Sequence, residues 1–126
     1  MNKKSALVPL LAFLLSLGCS ILLFTLPGKQ LPSIRWLNIP YTDKYVHAAI
    51  FFTLCYTAAA AIFAYTGKKI GGLFALIIAG IFVSYGIGVE FYQEQVVEGR
   101  SFEWADIFAD ASGCMLFLVW IRFRKA

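Results

Sequence analysis

Four long apolar stretches separated by short polar breaks set the pattern of this chain. The first runs from Ala6 to Leu26 behind the basic head Lys3-Lys4 and stops at Pro27-Gly28, a pair that commonly closes a helix. A loop from Lys29 to Tyr41 holds Pro32, Ile34, Trp36, Leu37 and Pro40, aromatic and apolar anchors of the kind enriched at a membrane interface. Apolar residues then resume through Tyr65, pause at Thr66-Gly67-Lys68-Lys69, and resume again from Ile70. The last stretch begins at Trp104 and ends before Arg122-Phe123-Arg124-Lys125. The pattern predicts helices over about 6–26, 43–65, 70–93 and 104–121, each close to the ~20 residues needed to cross a bilayer. A secretory signal shares the basic head, but its apolar region covers only about 7–15 residues. Ser16-Leu17-Gly18-Cys19 also lacks the aliphatic residue three places before the cysteine that lipoprotein processing requires. The expected fold is therefore all-α, a four-helix transmembrane bundle with short loops forming one domain over residues 1–126.

Composition supports the same picture. Hydrophobic residues make up 60% of the chain and charged residues 14%, with a mean hydropathy of +0.76; a soluble domain carries about 25% charged residues. One short domain cannot hide that much apolar surface in a single core, so the excess must face lipid. The net charge of +4 does not point to nucleic acid, because the basic residues sit in pairs at segment ends rather than along one face. With four spans, Lys3, Lys4, Lys68, Lys69, Arg122, Arg124 and Lys125 share one side, which the positive-inside bias makes cytoplasmic along with both termini. Cys19, Cys55 and Cys114 lie inside apolar segments, an odd number with no metal-binding spacing, so neither a disulfide framework nor structural zinc is expected.

The few ionisable residues then stand out, and they gather at the predicted outer ends of helices two to four. Asp43 and His47 are four apart and share a face, with Lys44 beside them. On the third helix Gly86, Glu90 and Gln93 form a polar stripe. Gly80, Ser84 and Gly88 form a small-residue stripe elsewhere, expected to pack against a neighbouring helix. On the fourth, Asp106, Asp110 and Gly113 share a face, and Arg100 lies in the loop before it as a bidentate partner for a carboxylate or phosphate. A buried carboxylate at a helix centre costs about 2.5–3.5 kcal/mol on insertion scales, so such groups mark functional positions. Plainer roles are open to each residue alone. Asp43 can cap its helix, Lys44 can snorkel as an interfacial anchor, and Glu94, Glu98 and Glu103 can form a solvated loop face. Several titratable groups at one rim favour a site.

The ordered set Asp43-Lys44-x-x-His47-x-x-x-Phe51, Glu90-x-x-Gln93, Arg100 and Asp106-x-x-x-Asp110-x-x-Gly113 resembles the VanZ-like family of small bacterial integral membrane proteins, over about residues 40–126. The family pattern commonly carries Asn where this chain has Asp110, and Gly where it has Phe117. The resemblance implies a multi-pass protein of the bacterial plasma membrane with an outer-face site near cell-envelope lipids. The family's founding member is associated with low-level teicoplanin resistance, and no agreed biochemical activity comes with the family. Two readings follow. In one, the rim binds an envelope lipid headgroup, a lipid-linked or cell-wall precursor or a partner protein, through Asp43, Lys44, Gln93, Asp106 and Asp110. In the other it is an enzyme on such a lipid, with His47 as acid/base oriented by Asp43 or Glu90, and Arg100 and Lys44 holding a phosphate or carboxylate. No cofactor is expected. A divalent-metal site from Asp43, His47, Glu90 and Asp110 is the least favoured reading, because no short metal motif supports it. Nothing in the sequence sets the oligomeric state.

Overall fold

A computed structural model describes the backbone of residues 3–25, 42–97 and 102–124, with side chains over 6–25, 44–97 and 102–124. The described chain forms α1 (Lys3–Thr25), α2 (Thr42–Thr66), α3 (Gly72–Val96) and α4 (Trp104–Phe123). Each is long and apolar enough to cross a membrane. The shortest has 20 residues, which at 1.5 Å per residue matches a hydrocarbon core of about 30 Å. Among the described residues the fold is all-α, with four helices of the length and apolarity of a multi-pass membrane protein.

The helix limits differ from the expected ones for local reasons. α2 begins at Thr42, so Asp43 lies inside the first turn rather than preceding it as a cap; its side chain falls outside the described residues. α3 starts after Gly71, whose extended backbone (φ −78°, ψ 171°) delays the helix past Ile70, and its carbonyl accepts from Ala75 N at 2.9 Å. The helix then runs through Glu94 and Gln95 to Val96, because neither residue breaks it. α2 closes through Gly67 at φ 72°, whose N–H donates to the Phe63 carbonyl at 2.7 Å. A residue with a Cβ is strained in that left-handed conformation.

α2 and α4 run parallel, with α1 and α3 opposed to them, so Lys44 meets Asp106 and Cys55 meets Cys114 along one seam. The core on this seam is small: Phe51, Leu54, Cys55, Cys114 and Phe117 are fully or almost fully buried. Large apolar side chains such as Leu15 and Leu73 point outward, at 70% and 75% exposure, as the outer face of a membrane-spanning bundle requires. Ser20 Oγ and Tyr85 OH join α1 to α3 at 3.0 Å. At the basic end, Arg124 Nη2 donates to the Ile70 carbonyl at 2.9 Å and its guanidinium lies 5.4 Å from the Trp120 ring centre.

The small-residue stripe of α3 behaves differently from expectation. Gly80, Ser84 and Gly88 are exposed, and a Cβ at Gly80 or Gly88 would meet nothing within 4 Å. Close approach occurs instead at Gly86 and Gly113. The reason is energetic. Glu90 and Gln93 share the face of Gly86, and leaving a carboxylate in lipid costs more than a glycine contact returns. The polar residues decide which face of α3 turns inward.

Candidate functional site

The polar residues gather at the end of the bundle away from Lys68 and Arg124, where α2 and α4 begin and α3 ends. His47 sits one turn into α2 and is almost fully buried. Its Nδ1 lies 2.8 Å from Asp110 Oδ1, and Phe24 of α1 packs over the ring with centroids 5.0 Å apart. Among the described side chains it is Asp110, and not Glu90, whose carboxylate orients the imidazole; the expectation for Asp43 lies outside the described residues. Asp110 is itself buried to 2% exposure. Its other oxygen rests against Gly86, where an added Cβ would come within 2.7 Å.

Lys44 turns into the bundle rather than toward headgroups. Its Nζ donates to Glu103 Oε2 at 2.6 Å and to Asp106 Oδ1. Glu103 is exposed, as expected of a solvated loop face, and it also serves the site twice. Besides pairing with Lys44, its backbone N–H donates to Glu90 Oε2 at 3.1 Å. Glu94 is exposed, as a solvated face requires. Gln93 is buried and donates from Nε2 to the Phe24 carbonyl at 2.9 Å, so its amide ties α3 to α1. The Asp43 side chain and all of Arg100 lie outside the described residues.

Glu90 is the unusual member. It is completely buried, and Oε1 has no hydrogen-bond partner among the described residues. Stranding a polar atom in this way costs about 1–3 kcal/mol, and more for a charged group. Atoms of His47, Glu90 and Asp106 nevertheless lie within 4.8 Å of one another. Among the described residues, four carboxylates (Glu90, Glu103, Asp106, Asp110) share this end with one ammonium, that of Lys44, which pairs with Glu103 and Asp106. Such an arrangement can accept protons, donor groups or a cation. Among the described residues its one ammonium already pairs with Glu103 and Asp106, which disfavours a bare phosphate there.

A cavity of a different character lies elsewhere. It is an apolar groove of about 580 Å³ between α1, α2 and α3, lined by residues including Leu7, Leu10, Phe13, Ile62 and Phe82, and it carries no chemistry of its own. Two contributors to the rim escaped sequence reasoning. Glu103 sits outside every helical stripe, and Phe24 reads as one more lipid-facing residue of α1; only the fold brings either to the site. No family model, curated protein or solved structure matches this chain.

Proposed function

We propose that the chain is a VanZ-like integral membrane protein of the bacterial cell membrane whose polar rim faces outward and binds the headgroup of an envelope lipid or lipid-linked cell-wall precursor. The observation that carries this reading is Glu90, wholly buried, with Oε1 lacking a partner beside His47 and Asp106. A membrane protein retains so costly a group where a ligand completes it. The outward orientation rests on the basic residues, which favour the other end for the cytoplasm. The excess of carboxylates favours headgroups that bring hydrogen-bond donors or a cation to the site.

Native mass spectrometry of the protein in mild detergent, with phosphatidylethanolamine, phosphatidylglycerol and an undecaprenyl-linked lipid added in turn, tests the reading. One lipid should be retained by the wild type and held at least tenfold more weakly by Glu90→Ala and Lys44→Ala. Equal retention by both folded variants refutes headgroup binding at this rim.

One observation favours catalysis as a second reading: the 2.8 Å contact between His47 Nδ1 and Asp110 Oδ1. A carboxylate on one ring nitrogen fixes the tautomer and leaves Nε2 to exchange a proton with substrate. The acid/base pair is then His47 with Asp110 as its positioning residue. Full turnover of such a lipid by folded His47→Ala eliminates this reading.

A further inference from the structure

We infer that the rim is a divalent-metal site, with His47, Glu90 and Asp106 as ligands and Asp110, Lys44 and the Glu103 backbone N–H as their outer supports. The argument begins with what each ligand has left to give. Asp110 engages His47 at Nδ1, which leaves Nε2 for an ion. Lys44 engages Asp106 at Oδ1, which leaves Oδ2. The Glu103 N–H engages Glu90 at Oε2, and the remaining oxygen, Oε1, is buried without a partner among the described residues. Each ligand therefore has one atom held by an outer group and one unspent. That is how protein metal sites are built, with outer partners fixing the tautomer of a histidine and the orientation of carboxylates.

Distance and charge agree. One ligand atom from each of His47, Glu90 and Asp106 lies within 4.8 Å of the other two. Around an ion bonded at about 2.0–2.2 Å, tetrahedral ligands sit about 3.4 Å apart, so side-chain rotations of about an ångström close the site. A divalent ion also offsets the surplus of carboxylates over the single described ammonium. One imidazole with two carboxylates suits Zn²⁺ or Mn²⁺ better than Ca²⁺, which takes six to eight oxygens. Three protein ligands leave a further coordination position open. The inference deepens the headgroup reading and rests on it for one point only, that a headgroup oxygen takes the open position.

The test uses the full chain in detergent, stripped with a chelator and titrated with Zn²⁺ or Mn²⁺ alone, with no lipid added. Elemental analysis should find about one ion per chain. Glu90→Gln and His47→Ala should each weaken binding by about 100-fold or more, and Asp110→Asn by about 10–100-fold, the usual effect of losing an outer partner. Ser84→Ala, on the exposed face of α3, should bind as the wild type does. Pulsed electron paramagnetic resonance on the Mn²⁺-loaded wild type should show coupling to one nitrogen, a readout that survives if a variant fails to fold. Absence of a bound ion in folded wild type, absence of nitrogen coupling, or undiminished binding in both Glu90→Gln and His47→Ala overturns the metal site. A chain that retains a headgroup lipid yet binds no ion overturns this inference and leaves the headgroup reading intact. One that binds the ion through these residues, while its rim variants hold lipid unchanged, does the reverse.

Discussion

Gly113→Ala should be the most damaging single methyl group in this protein. A Cβ at that position would penetrate the Ala48 carbonyl oxygen and lie 3.0 Å from both Ala48 C and Phe52 N. All three atoms are backbone, so no side chain can swing away and no trimming on α2 can relieve the contact. The seam between α2 and α4 must open by about 1 Å to restore ordinary contact, and overpacking of this kind costs about 1–3 kcal/mol. The damage extends to the site, because Ala48 follows His47 and Gly113 lies less than one turn from Asp110. An opening of that size stretches the 2.8 Å His47–Asp110 contact beyond hydrogen-bonding range, at a further cost of about 1.5–3 kcal/mol for a bond to a charged group. The expected total is about 2.5–6 kcal/mol. Reversible unfolding in mixed micelles with increasing dodecyl sulfate, followed by circular dichroism, measures it. Gly88→Ala is the matched control, since its Cβ meets nothing within 4 Å, and it should stay within about 0.5 kcal/mol of wild type. A Gly113→Ala protein as stable as that control would refute the steric argument and the tight seam with it.

Other perturbations follow from individual contacts. Gly86→Ala sets a methyl 2.7 Å from Asp110 Oδ2 and 3.1 Å from the Phe51 ring. It should cost about 1–3 kcal/mol in the same unfolding assay, because Phe51 has no space to retreat into. Lys44→Met removes the ammonium between Glu103 and Asp106. Breaking a fully buried pair costs about 3–5 kcal/mol, and the partial exposure of this one reduces the expected loss to about 2 kcal/mol. Tyr85→Phe deletes the 3.0 Å link from Tyr85 OH to Ser20 and should cost only about 0.6 kcal/mol, the average for interhelical hydrogen bonds in lipid. Arg124→Ala frees the Ile70 carbonyl at the opposite end; a loss of about 1 kcal/mol is expected, with binding at the rim unchanged.

The helices were legible because lipid solubility is written residue by residue. Runs such as Ala6–Thr25 need no partner to declare themselves. The rim residues His47, Glu90, Asp106 and Asp110 were legible for the complementary reason, that each is too costly in lipid to be idle. Pairings were not. Glu90 was an expected partner of His47, yet the carboxylate bonded to its ring is Asp110, 63 positions away on α4. Periodicity assigns a residue to a face of its own helix and says nothing about which neighbour that face meets. The glycines show the same limit. Gly80, Ser84 and Gly88 have textual spacing that matches a packing motif, but spacing alone cannot compare a glycine contact with the burial of Glu90 on another face. Glu103 was missed because its role runs partly through its backbone N–H, which every residue but proline possesses.

The site and the helix packing therefore form one device. Apolar side chains give little drive for helices to associate in lipid, so α2, α3 and α4 need close contacts and polar links to stay together. On α3, Gly86 lies one turn from Glu90; on α4, Gly113 lies three residues from Asp110; on α2, His47 adjoins the Ala48 carbonyl that Gly113 meets. Each small contact thus sits beside a group that would be ruinous if exposed. Close approach shortens the polar links, and the polar links hold the approach. The one element outside this mutual support is Glu90 Oε1, which no described contact needs. Its burial without a hydrogen-bond donor is a cost that the polar links around it do not offset.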